Sequence, residues 1–388
     1  MSRDPSCEII APDHATQEPL SNSNMVSNTG GQKRQSGSWP GGEDHLDFGL
    51  KVDWKPIWPC LREQLVRSKE LAADPVPDTA QANLIPLGNF TAVVSPTGRK
   101  YGRGGAGPYY AFELECSGLT LPIADTTYPL NGRCNVRVTA PGLACLQYGG
   151  LGCLKLARDI IRQAGGTIMG ETLSRVDMRL DLPGVAIGPF WDAAREKRIV
   201  TRSKLHRSYE SRSKSLQFSN RPLSLQVYDK HRQATSAQDP NMLDLVLNRC
   251  WNGTLPREAT RIEFSIGRQV LTEKGIDTPD DYFRKRGDLV HYLCTKWIRF
   301  TESKVDPRNT GRARTLPLWS DVTAAFAAWA GQTSGEVLKP LPRGPVDINP
   351  FLKQGYGLLR RIAKELKRIP VPYVDYCDWI LDHGLLPK

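Results

Sequence analysis

Three short segments of this chain place, at every second position, side chains suited to holding a cation and attacking a phosphodiester. In 175–182, Arg175, Asp177, Arg179 and Asp181 alternate with Val176, Met178, Leu180 and Leu182. In 223–230, Ser224, Gln226, Tyr228 and Lys230 alternate with Leu223, Leu225 and Val227. In 261–266, Arg261, Glu263 and Ser265 alternate with Ile262, Phe264 and Ile266. Successive side chains of a strand point to opposite faces. If the three share a sheet, one face packs on helices and the other gathers Asp177, Asp181, Tyr228, Lys230, Arg261 and Glu263. Carboxylates from two strands suit a hard divalent cation, Mg²⁺ or Mn²⁺, so Asp177, Asp181 and Glu263 are the candidate ligands. Residues four apart on a strand are separated by about 13 Å, at about 3.3 Å per residue. One aspartate therefore pairs with Glu263, and the other orients a lysine or arginine.

Tyr228 is the candidate nucleophile. A phenol with its ordinary pKa of about 10 attacks poorly at neutral pH. Neighbouring Lys and Arg favour the phenolate, and a cation on the phosphate stabilises the charge building on its oxygens. Attack on DNA leaves a phosphotyrosine link and a free 3′-hydroxyl, and the link conserves the bond energy for later rejoining. Lys230 is the candidate for stabilising the charged phosphate. Taken singly, each residue has a plainer reading: Tyr228 as a packed aromatic, the alternating charges as a solvated face, Arg261 and Glu263 as an ion pair worth little. Their combination beside a basic segment carries the chemistry.

That segment runs from Arg195 to Arg232, with eleven Lys or Arg against three acids, in a chain of formal charge +11. Such density points to a polyanion, with nucleic acid the default partner. The candidate DNA contacts are Arg202, Lys204, Arg207, Arg212, Lys214, Arg221 and Arg232. Several other classes are disfavoured. No apolar run reaches the roughly 18 residues of a membrane span, and no apolar stretch follows the basic start, so a cytoplasmic protein without membrane contact is expected. The nine cysteines form no CxxC pair and the six histidines no HxH or HExxH, against zinc and histidine-metal chemistry. The glycine-rich 102–107 lacks the Lys-Ser/Thr ending of a phosphate-binding loop and reads as a hairpin connection.

The elements that position these residues read as an α+β fold: a mainly antiparallel sheet, helices on its apolar face, the site on the polar face, and a helical C-terminal part. The polar, Ser/Asn/Gly-rich 1–44 reads as a disordered tail, 45–303 as the catalytic and DNA-binding domain, and 304–388 as a mainly helical region. A strand is expected from His45 to Trp54, interrupted by Pro56 and Pro59, then a helix over 61–73. Strands follow in 85–140, a helix over 153–164 ending at Gly165-Gly166, and another near 190–198. Helices are also expected over 280–301, 319–330 and 356–368.

The order L-S-R-V-D-x-x-x-D, a basic stretch, L-Q-V-Y-D-K-H and T-R-I-E-F resembles the rolling-circle replication initiation proteins of plasmids and filamentous phages, which are related to integrative-element relaxases. The resemblance spans roughly 135–300 and includes N-V-R-V-T-A-P-G-L-A-C-L-Q-Y-G-G upstream. It implies a metal-dependent, site-specific nickase and strand transferase, with Arg175-Val176-Asp177, Val227-Tyr228-Asp229-Lys230 and Arg261-Ile262-Glu263 matching the family's three motifs. The element usually found before the tyrosine motif is replaced by S-Y-E-S-R-S-K-S, which leaves Tyr209 as a rival nucleophile. The implied partners are origin DNA, single-stranded or cruciform, with host helicase and polymerase. Two alternatives stand beside this reading: a conjugative relaxase of the same chemistry, and a DNA-binding copy-control or repressor protein without catalysis.

Overall fold

The computed structural model describes residues 39–74, 83–101, 109–129, 131–210, 214–220, 222–236, 240–334 and 338. The chain divides into two units after Pro340, and every described residue lies in the first. The expected tail up to residue 38 and the expected helix over 356–368 fall outside the described residues.

In chain order the first half runs β1 (Gly41–Asp53), α1 (Trp58–Ala73), β2 (Leu84–Leu87), β3 (Phe90–Val94), β4 (Arg99–Lys100), β5 (Tyr109–Tyr110), β6 (Phe112–Cys116), β7 (Leu119–Ile123), β8 (Val136–Ala140) and α2 (Gly142–Gln163). The second half begins with β9 (Thr167–Pro183), α3 (Gly188–Arg195), β10 (Ile199–Thr201), β11 (Leu205–Glu210), β12 (Lys214–Asn220), β13 (Leu223–Asp229), α4 (Lys230–Thr235) and α5 (Pro240–Cys250). It closes with β14 (Ala259–Gly267), α6 (Arg268–Glu273), α7 (Pro279–Tyr292), β15 (Ile298–Phe300) and α8 (Pro317–Ala330).

Eleven of these strands form one sheet, in the order β11-β12-β13-β14-β9-β1-β8-β7-β6-β3-β2, with antiparallel pairing throughout. The fold is α+β. Its order is a mirror about the central pair: β8-β7-β6-β3 runs outward from β1 as β14-β13-β12-β11 runs outward from β9. In each half a long strand is followed by a helix, and a later strand returns to pair with it. An aspartate of the long strand holds an arginine of the returning strand in both, Asp47 with Arg137 at 2.6 Å and Asp181 with Arg261 at 2.7 Å.

One face of the sheet is apolar. Val176, Met178, Leu180, Leu225, Val227, Ile262, Phe264 and Ile266 are wholly buried there. They share a core with Leu154 and Ala157 of α2, Phe190 of α3, Leu271 of α6, Leu289 of α7 and Phe326 of α8. Helix α8, expected in a separate C-terminal region, thus completes the same core as the sheet. On the other face a second, small cluster joins Leu146 of α2, Ala234 of α4, Val246 and Cys250 of α5, Trp251 and Ala259. It roofs one end of the polar face.

Four boundaries differ from the sequence expectation for physical reasons. Strand β1 begins at Gly41, inside the expected tail, because its first residues pair with Leu180, Arg179 and Met178 of β9. Pro59 does not interrupt the chain but occupies the first turn of α1, where its missing N–H costs nothing. Helix α2 starts at Gly142 rather than 153 and absorbs its glycines through a kink at Gly149, φ 70°, a conformation that glycine adopts without strain. Helix α7, begun by a Thr278–Asp281 capping box, stops at Tyr292. A π-helical turn (Leu293–Trp297) follows, and Ile298–Phe300 then pairs with β10, burying Ile298 and Phe300.

Candidate active site

Strands β13, β14 and β9 are adjacent, so the polar sets of the three segments do share one face. In register, Tyr228 lies opposite Arg261, which lies opposite Asp181; Gln226 lies opposite Glu263, which lies opposite Arg179; Ser265 lies opposite Asp177. A bulge in β1 between Glu43 and His45 releases Asp44, whose carboxylate reaches the same cluster.

Tyr228 is half-buried, and its phenol donates a hydrogen bond to Glu263 Oε2 at 3.1 Å. Burial, with Glu263 adding to it, pushes Tyr228 well above the usual phenol range, although Arg261 opposes the rise. Tyr228 is therefore a neutral phenol at pH 7 and needs a proton acceptor to attack. Burial and then the carboxylate of Asp44, with Asp177 adding, push Glu263 up to about 7 against the pull of Arg261. A carboxylate that titrates near neutrality and already accepts the phenol's hydrogen is matched to the task of a general base.

Asp181 is wholly buried. It accepts from Arg261 through Nε at 2.7 Å and Nη2 at 3.1 Å, and from Arg179 Nη1. Burial opposes ionisation, but Arg261 and Arg179 outweigh it and hold Asp181 down at about 2. Arg261 also reaches Asp44 at 2.8 Å. Of the two aspartates on β9, Asp181 is the one held by two buried arginines, whose positive charge repels a cation more strongly than the single, half-exposed Arg175 on Asp177. Asp181, expected as a ligand alongside Asp177 and Glu263, has both carboxylate oxygens engaged by arginines. Asp177 accepts from Arg175 at 2.9 and 2.6 Å and from Ser265 Oγ at 2.6 Å. Among the described residues no three His, Cys, Asp or Glu side chains cluster closely enough to hold a metal by themselves. Asp177 and Glu263, diagonal neighbours on adjacent strands, remain the pair whose chemistry suits Mg²⁺ or Mn²⁺, which commonly takes one or two carboxylates and fills its shell with water and phosphate oxygen.

Lys230 does not extend β13. It is the first residue of α4, whose N-cap Asp229 accepts from the Arg232 N–H at 2.9 Å. Its ammonium is buried and donates to Gln233 Oε1 at 2.7 Å. Burial, and then Arg261, bring it down to about 8, with Asp181 and Asp44 opposing.

Two site residues escaped the sequence reading, Asp44 and His45, because both fell at the edge of the presumed tail. His45 pairs with Asp177 across β1 and β9. Burial lowers its affinity for a proton, against the attraction of Asp177.

The candidate DNA contacts are dispersed. Arg207 faces the site side of the sheet, in the row of Gln217 and Gln226. Lys214 sits over the Trp191 ring, on the helix-covered side. Arg202, Lys204 and Arg232 are exposed. Arg212 and Arg221 lie outside the described residues.

No family model matches the chain, and no curated protein matches it. It is similar to the solved structure of a rolling circle replication initiator protein from Geobacillus stearothermophilus, with 15% identity over 75% of this chain and 97% of that one, at a TM-score of 0.43.

Proposed function

We propose that this chain initiates rolling-circle replication by nicking one DNA strand at an origin through Tyr228. The observation that carries the reading is the 3.1 Å hydrogen bond from the Tyr228 phenol to Glu263, set beside the Asp181–Arg261 pair. Tyr228 Oη attacks phosphorus, the P–O3′ bond breaks, and the phenol proton passes to Glu263. The departing 3′ oxygen takes a proton from the Lys230 ammonium. The products are a 5′-phosphotyrosine and a 3′-hydroxyl from which host polymerase, with helicase, would extend. Arg261, next to Tyr228 in register and fixed by Asp181 and Asp44, lowers the cost of phenolate character. Asp177 and Glu263 would hold Mg²⁺ or Mn²⁺, which when bound supplies charge stabilisation to the phosphate oxygens.

The test incubates the protein with labelled single-stranded DNA from its own element, with Mn²⁺ or EDTA, on denaturing gels. A metal-dependent, protease-sensitive shift is expected, absent from Tyr228→Phe while that variant still binds the DNA. Salt-sensitive binding with no adduct under any condition would leave a non-catalytic DNA-binding protein and overturn the reading.

A further inference from the structure

On strands β13, β12 and β11 the polar face continues outward from Tyr228 in three rows. The first runs Tyr228, Ser215, Tyr209; the second Glu263, Gln226, Gln217, Arg207; the third Asp177, Ser265, Ser224, Ser219. Apart from the ends, these are neutral side chains that both donate and accept hydrogen bonds. The opposite face of the same strands is Leu216, Phe218, Leu225 and Val227, all buried. The first two rows are open beyond the site: Gln226, Arg207 and Tyr209 are exposed and Ser215 and Gln217 half-covered, whereas in the third row Ser224 is half-covered and Ser219 buried. Toward the other end of the site the face is roofed by the cluster of α4, α5 and Trp251. Among the described residues, the uncovered course to Tyr228 runs toward β11.

Tyr209 stands at the far end of that course. Its ring is 46% exposed, and its hydroxyl receives a long contact from Arg207 Nη1 at 3.4 Å. Arginine only donates, and among the described residues no carboxylate is bonded to the Tyr209 hydroxyl as Glu263 is to Tyr228. Neighbouring Glu210 lies on the other side of the strand, paired with Lys214. Tyr209 therefore lacks what Tyr228 possesses in Glu263, and its exposed ring is free for another use. It sits two strands from Tyr228, about 10 Å at roughly 4.8 Å per strand. Only the small Ser215 stands between them, leaving a trough flanked by aromatic rings.

We propose that this face is a platform for single-stranded DNA, on which the Tyr209 ring stacks against a base close to the nucleotide joined at Tyr228. The inference rests on Tyr228 being the residue that receives the cut strand. Charge and chemistry both select single-stranded DNA. Arg207, at the outer end of the second row, supplies a cation to track a phosphate backbone. The Ser and Gln rows supply sequence-tolerant hydrogen bonds, and an exposed aromatic supplies a stacking surface, the combination by which such strands are held. A duplex has no unstacked base to offer Tyr209, and the recessed phenol of Tyr228 lies out of its reach.

The test measures binding of a fluorescein-labelled, mixed-sequence single-stranded oligonucleotide to the full chain carrying Tyr228→Phe, so that no chemistry intervenes. Removing one stacked base contact should weaken binding about tenfold in Tyr209→Ala, while Tyr209→Phe, which keeps the ring, restores it. The same sequence as a duplex should not distinguish the variants. Gln226→Glu, near-isosteric and exposed, places a negative charge on the track and should weaken single-strand binding as well. Unchanged affinity in Tyr209→Ala or Gln226→Glu overturns the proposal, as does equal loss in Tyr209→Ala and Tyr209→Phe. The adduct assay on chains with Tyr228 intact separates the two readings. Ring-dependent binding without any adduct sinks the nickase and keeps the platform. An adduct that survives Tyr228→Phe but not Tyr209→Phe makes Tyr209 the nucleophile and overturns both.

Discussion

Replacing Glu263 by Gln should make the protein more stable and inactive at once. Glu263 is brought from an ordinary value of about 4.5 to about 7, first by burial and then by the carboxylate of Asp44. That gap of about 2.5, at about 1.4 kcal/mol for each tenfold in proton affinity, comes to about 3 kcal/mol. The sign follows from linkage. Below about pH 4 both the folded and the unfolded chain hold the proton, and the residue costs nothing. As pH rises toward 7 the unfolded chain releases its proton first, and the folded state loses stability until Glu263 also ionises. Gln is neutral at every pH and can still accept the Tyr228 hydrogen through its amide oxygen. Glu263→Gln should therefore gain about 3 kcal/mol over the parent at pH 8, and the gain should vanish near pH 4. Urea unfolding in EDTA at both values reads this directly. Added Mg²⁺ should then stabilise the parent more than the variant, since a ligand that binds only the folded state adds to its stability. A variant less stable than the parent at pH 8, or a gain that does not fade in acid, would refute the electrostatic account of this carboxylate.

Two further outcomes separate the roles of the charged groups. Asp181→Asn strips the buried Arg179 and Arg261 of their shared anion and should cost about 3–5 kcal/mol in urea unfolding; a loss under about 1 kcal/mol would show that Asp44 alone suffices for both guanidiniums. The rate of adduct formation should rise through about pH 7, as Glu263 becomes able to take the phenol proton, and fall beyond about pH 8 as Lys230 loses its charge. Quenched-gel time courses on Lys230→Met should lack the alkaline fall, and an unchanged profile would remove Lys230 from the reaction.

The polar face was legible because period-2 alternation is a local signal. Val176 to Leu182, Leu223 to Val227 and Ile262 to Ile266 each declare which side is buried, without knowledge of their neighbours. Adjacency of the three strands followed only as a condition, and the register that sets Tyr228 opposite Arg261 is a property of the assembled sheet. What escaped was non-local or depended on an irregularity. Asp44 enters the site through a bulge, which no alternation pattern announces, and it lies 217 positions from the Arg261 it binds. The division of labour between Asp177 and Asp181 depends on their neighbours: both are buried on one strand face, but only the second lies under the α4–α5 roof with two buried guanidiniums. Lys230 looked like the next outward residue of a strand, yet the Asp229 cap turns the chain into a helix at that point. The mirror order of strands leaves no sequence repeat, because only the alternation and one Asp–Arg pair are shared between the halves.

The charges of the site explain why base and cation belong together on the proposed reading. Asp44, Asp177, Asp181 and Glu263 stand among Arg175, Arg179, Arg261 and Lys230, so the set is neutral when Glu263 is ionised. A phosphodiester brings one negative charge, and attack by the phenol's oxygen concentrates more on the same phosphorus. Arg179 and Arg261 are committed to Asp181 and Asp44 and cannot turn to meet it without stranding those buried carboxylates. The incoming charge can be met by a proton on Glu263, but that occupies the acceptor Tyr228 requires. It could also be met by a divalent cation, which Asp177 and Glu263 would hold while Glu263 Oε2 keeps the phenol's hydrogen. Burial, and then the carboxylate of Asp44, make Glu263 basic enough to accept a proton near neutrality, and beside Asp177 it would offer a cation a second carboxylate. In that sense the fixed arginines serve the reaction by being unavailable. They hold the scaffold neutral and rigid, and on the proposed reading they would leave the phosphate's extra charge to a cation.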